Sequence, residues 1–218
     1  MSSRSFGGRR VAREKVPGLV KTFLSDLGLA NIPHHIAGSW IRGLPECDEI
    51  DLVLIMDSKQ MPEAKKAIKM AFGRHKAKDQ SRLSGIYDGV QFDLHLCSID
   101  HLGVTMLHAA GSWQFIKFLR ARAKAKGWKL KKSGLFDALT GEPVLHSVDE
   151  VYYLHVLGVQ YIEWENRSQG CEFELKSLTD PTRMCKCKLV EDGWQLLNNG
   201  AARKGTPIRY ETPCPSRH

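Results

Sequence analysis

Near the start of the chain apolar residues recur at helical spacing: Val16, Val20, Phe23, Leu24 and Leu27, with Pro17 suited to a first turn and Gly28 as a stop. One amphipathic helix is predicted there. Ile36-Ala37-Gly38-Ser39-Trp40 interrupts the pattern as a Gly/Ser turn. Residues 49–56 are then apolar on both faces beyond their first positions, the mark of a central strand that keeps its carboxylates at its beginning. Residues 62–73 predict a short helix, and Asp88-Gly89 predicts a hairpin turn within 84–98, whose second strand is 90–97. From His101 to about Lys126 the pattern is helical, closed by Gly127. Leu135-Phe136 and Val144-Leu145 are short apolar pairs, and 148–157 is a further helix with Asp149 and Glu150 in its first turn. The expected fold is α/β (α+β): a mixed-sheet lobe over 10–104, then a smaller helical lobe with a small hairpin over 105–167. Beyond Gly170, residues 173–176, 184–190 and 194–197 suggest short strands between Asp180-Pro181 and Asp192-Gly193 turns, a β-rich appendage over 168–218.

Composition narrows the class. The 218 residues are 42% hydrophobic and include five Trp, enough to bury a core in one ordinary domain or two small ones, which excludes a wholly disordered chain. No run approaches the ~18 apolar residues of a membrane span, and the first ten residues lack the apolar segment of a signal peptide. The chain is therefore read as soluble and intracellular, cytoplasmic or nucleus-associated, with no membrane partner. Lys and Arg number 32 against 24 Asp and Glu, a net charge of +8. Its placement matters more than its size. Between Trp113 and Lys132 stand eight basic residues and no acid, interleaved with Trp113, Phe115, Phe118 and Trp128. Solvated helix faces usually mix signs through i,i+4 pairs, so this run favours a surface that faces phosphates.

Because strand side chains alternate, Glu49 and Asp51 project from one face while Asp48 and Ile50 point the other way. Asp93, within Phe92-Asp93-Leu94, joins that pair if the two strands are neighbours. Three converging carboxylates repel one another unless cations neutralise them, and hard oxygen ligands of this type suit Mg²⁺ or Mn²⁺. Upstream, Gly38 lets the backbone approach an anion closely, with the Ser39 hydroxyl and Arg42 placed to hold phosphate oxygens. A Glu-x-Asp at a strand end is by itself usually a solvated edge. Carboxylates joined to a phosphate cradle describe nucleotidyl transfer.

Gly38-Ser39, nine intervening residues, then Glu49-Ile50-Asp51-Leu52 and the later Asp93 resemble the nucleotidyltransferase superfamily. More particularly, Gly38 to Gly43, Asp48 to Leu52, Phe92-Asp93-Leu94, Gly111-Ser112, Lys126-Gly127, Gly134 to Asp137, Leu157-Gly158 and Tyr161 to Arg167 resemble the family X DNA polymerases in order and spacing, over about residues 10–167. The resemblance implies a catalytic palm over 10–104 and a thumb over 105–167. It makes Glu49, Asp51 and Asp93 the catalytic metal ligands, with Asp93 nearest the primer 3′-hydroxyl, and makes Gly38, Ser39 and Arg42 triphosphate contacts. Gly111 and Ser112 would pass close to the incoming sugar, and Lys117, Arg120 and Lys124 would approach the nucleotide or the DNA. The implied activity is template-directed addition of nucleotides to a primer by two-metal transfer, filling short gaps during DNA repair. Its partners would be gapped duplex DNA and a nucleoside triphosphate, and the chain is expected to act as a monomer. Without a segment before the palm to carry lyase elements, it resembles the reduced palm-plus-thumb form of viral members, and no lyase activity is expected. Two rival readings stay open: a template-independent transferase acting on DNA or RNA ends, and a catalytically inactive nucleic-acid-binding module.

Three positions depart from the family pattern. Glu49 stands where the family has Asp and follows Asp48 in place of Gly, so the ligand geometry differs and Mn²⁺ is an alternative to Mg²⁺. His108-Ala109 replaces the usual bulky pair and Ala110 the usual Thr, which leaves the choice between ribo- and deoxyribonucleotides open. His108 itself is read as a packed hinge residue, since phosphoryl transfer of this kind needs no imidazole. The six cysteines are too few for a disulfide scaffold at this length. Cys171, Cys185, Cys187 and Cys214 cluster late, and Cys185, Cys187, Cys214 and His218 offer four ligands of the kind a structural Zn²⁺ takes, faintly like a SWIM-type finger. The competing reading is a pair of reduced thiols on one strand face.

Overall fold

A computed structural model of the chain describes residues 7–72, 75–79, 81–159 and 161–167, and the backbone of two short strands at 195–196 and 202–203. β1 (Val11–Ala12) leads through a 3-10 turn into α1 (Val16–Asp26), whose Val16, Val20, Phe23 and Leu24 form the predicted buried stripe. There follow β2 (His34–Ile36), α2 (Gly38–Ile41), β3 (Glu46–Cys47), β4 (Ile50–Ile55), α3 (Met61–Phe72), β5 (His75–Asp79), β6 (Arg82–Tyr87) and β7 (Val90–Cys97). β1 and β3 pair as a separate ribbon, and the main sheet has the order β2-β4-β7-β6-β5. Only β4 and β7 run parallel; the other neighbours are antiparallel, so the sheet is mixed as the sequence predicts. The hairpin turn falls at Asp88 and Gly89, both with positive φ (47° and 72°), the geometry for which Asp-Gly is favoured.

The period of two along β4 and β7 divides the sheet into unlike faces. Ile50, Leu52, Leu54, Phe92, Leu94 and Leu96 turn to one side and pack with Phe23, Leu24, Ile68 and Phe72 of α1 and α3. The opposite side carries Asp51 and Val53 from β4 and Gln91, Asp93, His95 and Cys97 from β7. Part of that second face is covered by α4 (Leu102–Ala110), whose Met106 and Ala109 meet Ala37, Val53 and Cys97. The polar part is left uncovered by this apolar cluster.

The second lobe continues with α5 (Trp113–Ala125), β8 (Trp128–Lys131), β9 (Gly134–Asp137), β10 (Pro143–Leu145) and α6 (Glu150–Val156), ending in a 3-10 turn at Trp164–Arg167. β10, β9 and β8 form a three-stranded antiparallel sheet, one strand more than the predicted hairpin. Leu107, Phe115, Leu119, Leu135, Tyr153, Leu154 and Leu157 give the lobe a core of its own. A buried ion pair closes it: Arg167, fully enclosed, donates from Nη1 to Glu150 Oε2 and from Nη2 to Glu150 Oε1, each at 3.0 Å. Further on, β11 (Gln195–Leu196) and β12 (Ala202–Arg203) pair antiparallel, within reach of the strand expected at 194–197.

Three predicted elements differ. The single helix expected from His101 to Lys126 is two, because Gly111 and Ser112 are extended and the Ser112 hydroxyl accepts from the Phe115 N–H at 3.2 Å to start α5. Residues 36–40 are a strand end and one helical turn, α2, where a plain turn was expected. The strand expected over 49–56 begins at Ile50, with Glu49 in the bend before it. Cys171, Cys185, Cys187, Cys214 and His218, and the strands expected at 173–176 and 184–190, lie outside the described residues. No helix among the described residues is long and apolar enough to cross a membrane.

Candidate active site

Asp51 and Asp93 lie opposite each other in the β4–β7 pairing. The flanking pairs Ile50–Phe92 and Leu52–Leu94 face the apolar core, and a slip of one residue would exchange the faces, so burial of these four side chains fixes the register that brings the two acids together. Glu49 completes the group: one carboxylate oxygen from each of Glu49, Asp51 and Asp93 lies within 4.8 Å of the others. Asp93 is fully buried and the other two are half-buried. Gln91 Nε2 donates to Glu49 Oε2 at 2.9 Å and to Asp93 Oδ1 at 3.2 Å, Arg82 Nη2 donates to Asp93 Oδ2, and His95 Nε2 is 3.4 Å from Asp51 Oδ1. Three carboxylates against the guanidinium groups of Arg82 and Arg42 still leave an excess of negative charge in a partly buried place, and the oxygen donor set fits a hard divalent cation.

Gly38 abuts this group. Its φ is +61°, and a Cβ there would overlap the Asp51 carboxylate, so both the backbone conformation and the space require glycine. The other predicted nucleotide contacts have protein partners. Ser39 is hydrogen-bonded to the Cys47 thiol, which burial pushes up in pKa. Arg42 donates from Nη1 to the carbonyls of Ala110 (2.9 Å) and Gly111 (3.3 Å), tying α2 to the end of α4. Burial lowers the Arg42 pKa, with Asp51, Cys47 and Glu49 acting against that shift. Its Nη1 is therefore engaged across the lobes, while its Nε is enclosed without a hydrogen-bond partner. Gly111 is buried at the break between α4 and α5, and the Ser112 hydroxyl caps α5.

Lys117, Arg120 and Lys124 are exposed on α5, at spacings that place them along one side of the helix. The aromatic interleaving of the basic run is partly core: Phe115 and Trp128 are buried in the second lobe, whereas Trp113 is exposed. Arg122 Nη2 donates to the Gly158 carbonyl at 3.0 Å. His108, on α4, has its pKa pushed down to about 4, first by burial and then by the charges of Arg120, Lys132 and His95.

Sequence reasoning missed Arg82, Gln91 and His95. A signal existed for two of them. In Val90-Gln91-Phe92-Asp93-Leu94-His95-Leu96-Cys97 the polar residues alternate strictly with apolar ones, which places Gln91 and His95 on the Asp93 face.

The DNA polymerase beta thumb family matches residues 105–168. A curated protein of Saccharomyces cerevisiae (strain ATCC 204508 / S288c), DNA polymerase IV, is 32% identical over 87 residues, a stretch that is 40% of this chain and 14% of the yeast protein. With a thumb of this family following a mixed sheet that gathers three carboxylates, the chain resembles the family X DNA polymerases.

Proposed function

We propose that this chain is a nucleotidyltransferase of the family X type, which adds nucleotides to the 3′-hydroxyl of a primer on gapped or primer-template DNA, in the short-gap filling of DNA repair. The observation that carries this reading is the in-register meeting of Asp51 and Asp93 with Glu49 beside them, on the sheet that precedes a DNA polymerase beta thumb.

Glu49, Asp51 and Asp93 would hold the divalent ions. When bound, such ions make the primer hydroxyl a better nucleophile and stabilise the charge on the transferring phosphoryl group. The rest of the site positions. Gln91 holds Glu49 and Asp93 together through one amide, and Arg82 keeps the buried Asp93 paired. Gly38 leaves the backbone close to the carboxylates, where a triphosphate would lie beside Ser39. Arg42 fixes the Ala110-Gly111 break, and with it the start of α5, against the first lobe. Lys117, Arg120 and Lys124 would neutralise DNA phosphates, so affinity should fall with salt.

The test is primer extension on a gapped duplex with each nucleotide, ribo and deoxyribo, in Mg²⁺ or Mn²⁺. Template-matched products are expected. Asp51→Asn or Asp93→Asn should lower incorporation by about a hundredfold or more while the protein remains folded by circular dichroism; near-normal rates would remove the metal assignment. Untemplated tails would replace this reading with end-directed transfer, and tight DNA binding without any product would leave a binding module.

A further inference from the structure

Two arginines of this protein meet a buried carboxylate, and they do so differently. Arg167 makes a closed pair: Nη1 and Nη2 each reach one oxygen of Glu150, and Nε donates to the Ile162 carbonyl at 2.8 Å. All three nitrogens have an acceptor, and the side chain has no exposed surface. Such a guanidinium is fixed in place. Arg82 stands opposite His95 in the β6–β7 pairing, and Asp93 opposite Ser84, so Arg82 reaches Asp93 along a diagonal. Its Nη2 donates to Asp93 Oδ2, while its Nε is enclosed without a hydrogen-bond partner. A buried donor left unmade is unfavourable, so this contact leaves the guanidinium poorly satisfied. Asp93 is fully enclosed, whereas Arg82 keeps 20% of its side chain exposed and so has a path towards water.

The chemistry of the site gives a reason for a cation held in this way. An enclosed carboxylate is costly to keep ionised unless a positive charge lies against it. A divalent ion bound among Glu49, Asp51 and Asp93 supplies that charge itself, and a guanidinium on Asp93 then becomes a second cation that repels the ion and competes for the same oxygens.

We propose that Arg82 is a counter-ion that stands in for the divalent cation: it pairs with Asp93 while no ion is bound and leaves Asp93 when one binds. This rests on the assignment of Glu49, Asp51 and Asp93 as ion ligands. Arg82 is then a positioning residue, which keeps Asp93 ionised beside its two neighbours until the ion takes over. The exchange closes a thermodynamic cycle. Because the pair exists only in the ion-free protein, removing it costs stability only there, and the same free energy returns as tighter ion binding. For a hydrogen bond between charged groups that is about tenfold or more in affinity.

The test uses the full chain, with Mn²⁺ titrations followed by electron paramagnetic resonance and thermal melting in EDTA and in saturating Mn²⁺. Arg82→Gln should bind Mn²⁺ about tenfold or more tightly than the wild type, melt lower in EDTA, and melt with the wild type in saturating Mn²⁺. Arg82→Lys, which keeps the charge, should stay close to the wild type throughout. Unchanged or weaker Mn²⁺ binding in Arg82→Gln overturns the proposal. So does a melting deficit that persists in saturating Mn²⁺, because a guanidinium that only braces the sheet is needed in both states. If Arg82→Gln does not fold in EDTA, saturating Mn²⁺ should restore the fold, and failure to do so also overturns it. Asp51→Asn tests the ion site separately and should lose Mn²⁺ binding. Wild-type binding in that variant removes the ion site and this proposal together, whereas loss there without tightening in Arg82→Gln overturns the exchange alone.

Discussion

Replacing Gly38 by alanine separates backbone strain from damage to the carboxylate group, because Gly28 supplies a matched control. Gly28 has φ +68° and Gly38 φ +61°, so an alanine at either position adopts a left-handed conformation that costs about 1–2 kcal/mol. At a scale of about 2–4 °C per kcal/mol for a chain of this size, both variants should melt a few degrees lower than the wild type. They differ in what the new methyl group meets. Around Gly28 nothing lies within 4 Å, whereas a Cβ on Gly38 would stand 2.8 Å from Asp51 Cγ and 2.9 Å from Asp51 Cβ, and would overlap the carboxylate oxygen beyond them. β4 is hydrogen-bonded on both sides, by β2 and β7, so its backbone cannot retreat; either the Asp51 carboxylate turns away or α2 lifts off. A displacement of about 1 Å at a reacting centre can reduce rate about a hundredfold. Gly38→Ala should therefore lose Mn²⁺ affinity, read by electron paramagnetic resonance, and about a hundredfold in primer extension, while Gly28→Ala keeps both. Wild-type Mn²⁺ binding and extension in Gly38→Ala would refute the packing argument, and so would an equal loss in Gly28→Ala.

Other perturbations address stability, pH and DNA. Glu150→Ala leaves the enclosed Arg167 guanidinium without its carboxylate and should cost about 3–5 kcal/mol in urea unfolding; the double variant Glu150→Leu, Arg167→Met should recover most of that, and a mild single variant would contradict the buried pair. His108 has a folded-state pKa of about 4 against 6.5 for the free ring, so between those values the unfolded chain binds the extra proton. Its effect on stability is nil above pH 6.5 and grows as the pH falls from there towards 4; melting curves of His108→Gln should be flatter across that window, and parallel pH profiles would reject the assignment. Replacing Lys117, Arg120 and Lys124 with alanine should reduce the slope of log affinity against log salt by about 2–3, and an unchanged slope would remove this side of α5 from the DNA interface.

The parts of the fold that were legible in the sequence are those decided within a few residues. The stripe on α1 follows from helical periodicity, and the Asp88-Gly89 turn from two residues that tolerate positive φ. The convergence of Asp51 with Asp93 needed one assumption that no local rule supplies, the adjacency of β4 and β7, and the apolar partners beside each acid are what make that pairing register definite. Contacts made across the chain stayed hidden. Arg42 Nη1 bonds the carbonyls of Ala110 and Gly111, 68 and 69 residues away, and nothing in its neighbourhood in sequence announces those acceptors. The break at Gly111-Ser112 was masked because apolar residues keep helical spacing on both sides of it, so periodicity reports continuity where a serine cap starts a new helix. Gln91 and His95 belong to an intermediate class. Once β7 is taken as a strand with one apolar face, alternation alone assigns both to the face of Asp93, and the groups around the carboxylates follow from the same period of two that buries Phe92, Leu94 and Leu96.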